Sequence, residues 1–358
     1  MSLSHRIHSF DSGKLVGMGN PLLDISANVP KEFLDKYGVA PSSAILAEAQ
    51  HQPLYGDLVQ NYDVQYIAGG ATQNSCRVAQ WMLTAAGMPD QVAFMGCVGQ
   101  DDYGKQLETC ASADGVLVNY MKDTSAPTGT CAALIVDKER SLVTNLDAAN
   151  NFKETHLQEA VSQEIIDSAS IYYSAGFFLT VSVESLEHVA SKYVEAGKTV
   201  CVNLSAPFII DFFSEQLSTA LSYADYVFGN ESEAATYAKK HGLPEDDLKQ
   251  VALAIAALPS KSKNKRTAVI TQGSECTYVA YDGVVKEYAV VPLEDSALVD
   301  TNGAGDAFVG GFLAQLCQGK SVDEAVAAGH WAARHIIQVS GTTLSGACQY
   351  KCLETATA

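Results

Sequence analysis

Six short runs of mainly apolar residues recur along the chain, at 14–18, 91–98, 170–175, 199–204, 226–228 and 267–271. None keeps a steady apolar/polar alternation, so each predicts a strand covered on both faces. The segments between them repeat apolar residues at helical spacing and predict helices over 72–86, 103–114, 183–196, 231–241, 248–258, 307–318 and 322–338. Strands and helices taking turns in this way predict an α/β fold, a doubly wound and mostly parallel sheet with helices on both sides. Ligands in such sheets collect beyond the carboxyl ends of the strands.

A second group of strands breaks the alternation. Residues 130–137, a polar turn at 138–140 and residues 141–146 read as a hairpin, while 22–29 and 64–68 are strand-like without helices to match. These predict a small β lid built from 21–30, 62–68 and 115–147, leaving 1–20, 31–61, 69–114 and 148–358 to the large domain.

The 358 residues suffice for one large core and a subdomain, and 47% hydrophobic with 18% charged residues is a globular composition. A formal charge of −18 argues against nucleic acid or an anionic membrane as partner. An anionic substrate would therefore need a local pocket of backbone amides and arginine. Nine cysteines lie scattered in apolar stretches without a Cys-x-x-Cys pair, which points to reduced buried thiols rather than zinc. With no apolar leader and no run able to span a bilayer, a cytoplasmic location is expected, a nuclear pool left open. The basic stretch 259–266 reads as a solvated loop.

The segment 300–306, Asp-Thr-Asn-Gly-Ala-Gly-Asp, runs straight into an apolar helix-period stretch. Glycines at Gly303 and Gly305 let a ligand approach the backbone closely. The free N–H groups of the helix's first turn then form an anion site with Ala304. A carboxylate at Asp306 would repel phosphate there, unless it removes a proton from an attacking hydroxyl. Capping the helix is the competing role for Asp306.

Other motifs are weaker alone. Gly17-Met18-Gly19 follows a strand, but Leu22 occupies the third glycine position of a dinucleotide fingerprint. Two Gly-Lys-Ser/Thr triplets lack the upstream glycine of a P-loop and follow helices. Asn20 and Asp24 sit at a strand end, where they could hold vicinal hydroxyls or simply form a turn. Gly69 and Gly70 open a helix that carries Asn74 in its first turn, which serves either a ligand or a tight connection. Arg140 at the hairpin tip is a solvated arginine or, if the hairpin closes, a phosphate clamp. Asn230 and Glu233 share one face of a helix start, where they could meet Mg²⁺ directly or through water, or form a cap.

Taken in order, these motifs resemble the ribokinase-like sugar and nucleoside kinases, over roughly residues 14–345. The signature at 300–306 is specific to that family. The segments at 19–26, 69–75, 127–131 and 203–208 resemble its adenosine-phosphorylating branch. The resemblance implies a β lid over the doubly wound domain, ATP as co-substrate, Mg²⁺, and transfer of the γ-phosphate to the 5′-hydroxyl of adenosine. It implies Asp306 as general base, Gly303, Ala304 and Gly305 as anion hole, and Arg140 on the phosphate. Asn20, Asp24, Gly69, Gly70 and Asn74 would hold ribose. Leu46, Cys131, Leu142, Leu146, Phe178 and Phe208 would line the purine pocket. Asn230 and Glu233 would organise Mg²⁺ and phosphates, and Thr271, Gly273, Asn302 and His330 would flank ATP. A monomer is implied. Ala71 stands where the family commonly has serine, which removes one hydroxyl near the sugar. Two readings compete with this one: another sugar or nucleoside kinase of the same fold, and a nucleoside-binding sensor without catalysis.

Overall fold

The computed structural model describes residues 13–351 except 42, 137 and 138. The N-terminal polar segment, Lys138 of the expected turn and Cys352 lie outside the described residues. The strands are β1 Leu15–Met18, β2 Leu22–Asn28, β3 Ala44–Leu46, β4 Gln65–Gly69, β5 Val92–Gly99, β6 Leu117–Asp123, β7 Thr130–Val136, β8 Glu139–Asn145, β9 Ile171–Ala175, β10 Thr199–Asn203, β11 Tyr226–Asn230, β12 Thr267–Thr271, β13 Thr277–Tyr281 and β14 Val284–Tyr288. Among the described residues, nine of them form one sheet, in the order β14-β13-β12-β11-β10-β9-β1-β5-β6. It is parallel from β6 to β12, and β13 and β14 add an antiparallel edge.

Side chains alternate across a strand, and here both sides are apolar. Val16, Met18, Ala93, Met95, Tyr172, Val200 and Val202 enter one core, against helices Ala160–Ser168, Val183–Glu195 and Ser214–Tyr223. Leu15, Val92, Phe94, Ile171, Tyr173 and Cys201 enter the other, against Ala71–Ala85, Ala304–Cys317 and Val322–Ile336. Two buried faces explain why the strands lack a polar side. β1 lies between β5 and β9, and the chain winds outward from it in both directions. The crevice at the carboxyl end of β1 is the natural ligand site.

The second sheet has the order β3-β8-β7-β2-β4. One of its faces packs Ile25, Ala27, Ala132, Leu134 and Val143 against Phe33, Leu34, Tyr37, Leu54, Tyr55 and Leu58. Those six belong to helices Lys31–Tyr37 and Gln52–Asn61. This corrects two expected boundaries. The stretch 31–61 packs with the small sheet, because the apolar faces of its two helices cover that sheet's apolar face. Residues 117–123 leave the lid, because β6 pairs in register with β5 in the large sheet.

The basic loop 259–266 also departs from a purely solvated reading at one residue. Arg266 is buried and donates to the carbonyls of Leu221, Ala224, Ile255, Leu258 and Pro259. It pins the loop to the ends of two helices. The described cysteines are free, and no helix among the described residues is long and apolar enough to cross a membrane.

Candidate active site

The opposite face of the small sheet looks towards the large one. Period-two alternation puts Asp24 and Ser26 of β2, Gly69 of β4, Cys131 of β7, Arg140 and Leu142 of β8 and Leu46 of β3 on that face together. Asp24 stands opposite Cys131 in register, and Thr144 donates to the Cys131 sulfur at 3.3 Å. Leu46 is 62% exposed at the sheet's edge, and Leu146 follows the end of β8.

Glycine is required where β4 turns into the next helix. Gly70 has φ +92°, and a Cβ there would run into the carbonyl oxygen of Asn20. A Cβ on Gly69 would occupy the space of the Asp24 carboxylate. Asn20, Asp24, Gly69, Gly70 and Asn74 are therefore one cluster. Gly70→Ala should cost about 1–3 kcal/mol from backbone strain alone, read from urea unfolding midpoints; an unchanged midpoint would show that the turn relaxes freely.

The segment 300–306 forms the expected turn. Gly303 caps the helix Ala304–Cys317 with φ +77°, and Asp306 lies in its first turn. Asn74 donates to Asp306 Oδ2 at 3.1 Å. Arg77, one helical turn on, donates to Asn74 Oδ1 at 3.2 Å and to the Thr342 carbonyl at 3.0 Å, and pairs with Asp114 at 2.6 Å. The Asn74 amide is thereby oriented with its N–H towards the acid. Asp306 keeps some open surface because it faces a cavity, yet protein surrounds its carboxyl. Desolvation pushes its pKa up to about 7; Asn74 opposes the rise, and the charges of Asp24 and Glu233 add to it.

That cavity, about 150 Å³, is lined by Gly303, Gly305, Asp306, Asn230, Glu233 and Thr271 among the expected residues, together with Ala71. Its wall also holds Phe177, Asn203, Ser205, Phe228, Gly229, Phe308 and Val309. Phe178 was expected in the purine pocket, but it is fully buried in the large core, edge-on to Phe152 at 5.4 Å. A short 3-10 turn, Gly176–Thr180, follows β9 and points adjacent phenylalanines in opposite directions. Phe177 therefore faces the cavity and packs at 6.0 Å on the 40% exposed Phe208. Asn20 donates to the Phe177 carbonyl at 3.4 Å.

Asn230 and Glu233 form a reciprocal capping box at the start of Glu231–His241. The Asn230 side-chain oxygen already accepts from Ser232 and Glu233, at 2.8 and 2.9 Å. Glu233 is buried, and desolvation raises its pKa to about 7; the amides of Asn230 and Ser205 relieve this in part, and Glu231 adds repulsion. His330 hydrogen-bonds with Thr277 at 2.8 Å and packs on Phe308, behind the cavity wall. Asn302 donates its backbone N–H to Asp300, and Gly273 has φ +54° just after β12.

Sequence reasoning passed over Phe177, Ser205 and Arg77 as site residues. Ser205 falls inside the segment 203–208 that carries the resemblance, and its left-handed φ of +72° appears only in the structure.

A glycine turn that opens a helix, a desolvated acid facing a cavity beside it, and a small sheet whose polar face meets the same loop define a phosphotransferase of the sugar-kinase type. In agreement, the pfkB family carbohydrate kinase model matches residues 31–347, and the chain belongs to that family. Adenosine kinase 1 of Arabidopsis thaliana is 50% identical over 332 residues, which are 92% of this chain and 96% of the relative. The Anopheles gambiae adenosine kinase structure in complex with P1,P4-di(adenosine-5) tetraphosphate superposes with TM-score 0.87 at 47% identity, covering 95% of this chain and 99% of that one. The Schistosoma mansoni adenosine kinase bound to 2-fluoroadenosine gives TM-score 0.87 at 35% identity, with 95% and 99% covered.

Proposed function

We propose that this chain is an adenosine kinase, which transfers the γ-phosphate of ATP to the 5′-hydroxyl of adenosine and releases AMP and ADP. The observation that carries this reading is Asp306, an acid near pKa 7 at the amide-rich start of a helix, held by an asparagine that belongs to the sugar-side cluster. Ribose hydroxyls would lie between Asn20, Asp24 and Asn74, which would bring the 5′-oxygen to Asp306. Asp306 would take the hydroxyl proton as the oxygen attacks. The N–H groups at Gly303–Gly305 would meet the charge of the migrating phosphoryl group, already oriented before it arrives. Adenine would lie between the small-sheet residues Cys131, Leu142 and Leu146 and the Phe177–Phe208 pair.

Mg²⁺ fits this donor set through Glu233 rather than Asn230. The Asn230 oxygen is committed to the cap, while Glu233 is a buried carboxyl whose burial is only partly relieved. A water-mediated contact from Glu233 suits an ion that keeps much of its hydration and takes its remaining ligands from nucleotide phosphates. When bound, the ion would neutralise phosphate charge. Free thiols suit a cytoplasmic enzyme.

A coupled assay of ADP release, with adenosine, guanosine, inosine or ribose as acceptor and with or without chelator, tests the proposal. Adenosine-dependent ADP release that chelator abolishes is expected. A preference for free ribose would move the protein to a sugar kinase, and binding without ADP release would make it a sensor.

A further inference from the structure

Arg140 does not point freely into the cavity. Its Nη1 pairs with Asp300 Oδ2 at 2.9 Å, and both side chains are more than nine-tenths buried. Its Nη2 donates to Ser340 Oγ at 2.8 Å and to Ser26 Oγ at 3.3 Å. Asp300 in turn accepts the backbone N–H of Gly341 at 2.9 Å and of Asn302 at 3.0 Å. The loop holding Asp300 is tied down as well, since Val299 and Asp300 both donate to the Ile337 carbonyl. Gly341 has φ +60°, and a Cβ there would stand 3.1 Å from Nη1, so the backbone is shaped around the guanidinium.

The partners come from different bodies. Arg140 belongs to β8 of the small sheet, whereas Asp300 and Ser340 belong to the large domain. Asp300 also stands three residues before Gly303, on the loop that delivers the amides of the helix start. A planar guanidinium holds its donors in a rigid fork and so fixes the directions of the carboxylate and the two hydroxyls, which the compact, rotatable ammonium of a lysine does not.

We propose that Asp300 is a positioning residue for Arg140: the buried pair joins the small sheet to the glycine turn, so that closing the cleft and aligning the phosphate-binding groups are a single event. The inference rests on the kinase reading above and assigns Asp300 a part in turnover that acts only through Arg140.

The test is a double-mutant cycle on the full chain, with kcat and both KM values measured with adenosine and ATP for the parent, Asp300→Asn, Arg140→Ala and the double variant. Asp300→Asn should lower kcat by ~10–100-fold, the scale of a slight misplacement of reacting groups, and leave the adenosine KM within about threefold. Combined with Arg140→Ala, it should subtract less than about twofold more, because residues in one network are not additive. Full additivity, or a folded Asp300→Asn protein with parental kcat, overturns the proposal. Should Asp300→Asn melt below the assay temperature, Ser340→Ala replaces it in the same cycle. A severalfold loss of kcat that vanishes in the Arg140→Ala background is then expected, and no loss overturns the proposal. An inactive parent would overturn the kinase reading itself.

Discussion

Asp306→Asn should lower turnover by ~10²–10⁴-fold, the usual contribution of a positioned general base, while adenosine affinity stays close to parental. The substitution keeps size and an oxygen that can accept from Asn74, so the ribose cluster should survive it. What disappears is the capacity to carry a proton. The pKa near 7 sets a second signature: parental kcat/KM should rise with pH through about 7 and level off above, as Asp306 ionises in the free enzyme. In the Asn variant that limb should be missing. Parental turnover by the variant, or a pH limb that persists in it, would remove Asp306 from the role of base.

The same acid predicts a cost in stability. Between its ordinary value of 3.8 and about 7, Asp306 holds a proton in the folded state that the unfolded chain has already released. Unfolding then releases a proton, so this contribution to stability falls as pH rises through that window. Above it the burden is at most about 4 kcal/mol, and Asp24 and Glu233 share in it, since both also lie near 7. The ligand-free Asp306→Asn protein should accordingly melt higher than the parent at pH 8 and about equally at pH 4. Activity and stability would thus move in opposite directions at one residue.

Arg140→Ala should be severe for both properties. It leaves Asp300 buried with two backbone N–H donors and no opposing charge. Breaking a buried pair by removing one partner costs about 3–5 kcal/mol, which should appear as a lower unfolding midpoint at neutral pH. Turnover should fall more than nucleoside binding, because Arg140 hydrogen-bonds to Ser26 and Ser340 and pairs with Asp300, and reaches Asp24 of the ribose cluster through its charge alone. Weakened adenosine binding with unchanged turnover would contradict its place on the phosphate side.

How much of this was legible in the sequence depended on how local each determinant is. The glycine turn at Gly303 and the helix behind it were legible because both features sit in one segment. The six main strands were legible because two buried faces leave an unbroken apolar run. Helices Lys31–Tyr37 and Gln52–Asn61 were not assigned to the small sheet, since an apolar stripe marks a buried face without saying which surface covers it. β13 and β14 escaped notice because edge strands expose residues such as Tyr281 and Val284, which blur the pattern. The sequence does not distinguish Phe177 from Phe178, because one step in a 3-10 turn exchanges the core for the cavity. Asp300 is visible in its motif, but its partner lies 160 residues away, on the small sheet.

The chain passes between the two bodies at four places, next to Leu22, Gly69, Thr130 and Asn145. Leu22 is paired with Gly69, Leu23 with Thr130 and Thr130 with Asn145, so the four necks stand in one row across the small sheet. A plate attached along one row can swing but cannot slide. Arg140 lies five residues from that axle along β8, a lever arm of about 17 Å, so a swing of roughly 10° would carry its guanidinium about 3 Å. That is enough to part it from Asp300, and the clasp at the free end therefore senses an angular opening that the necks themselves scarcely register.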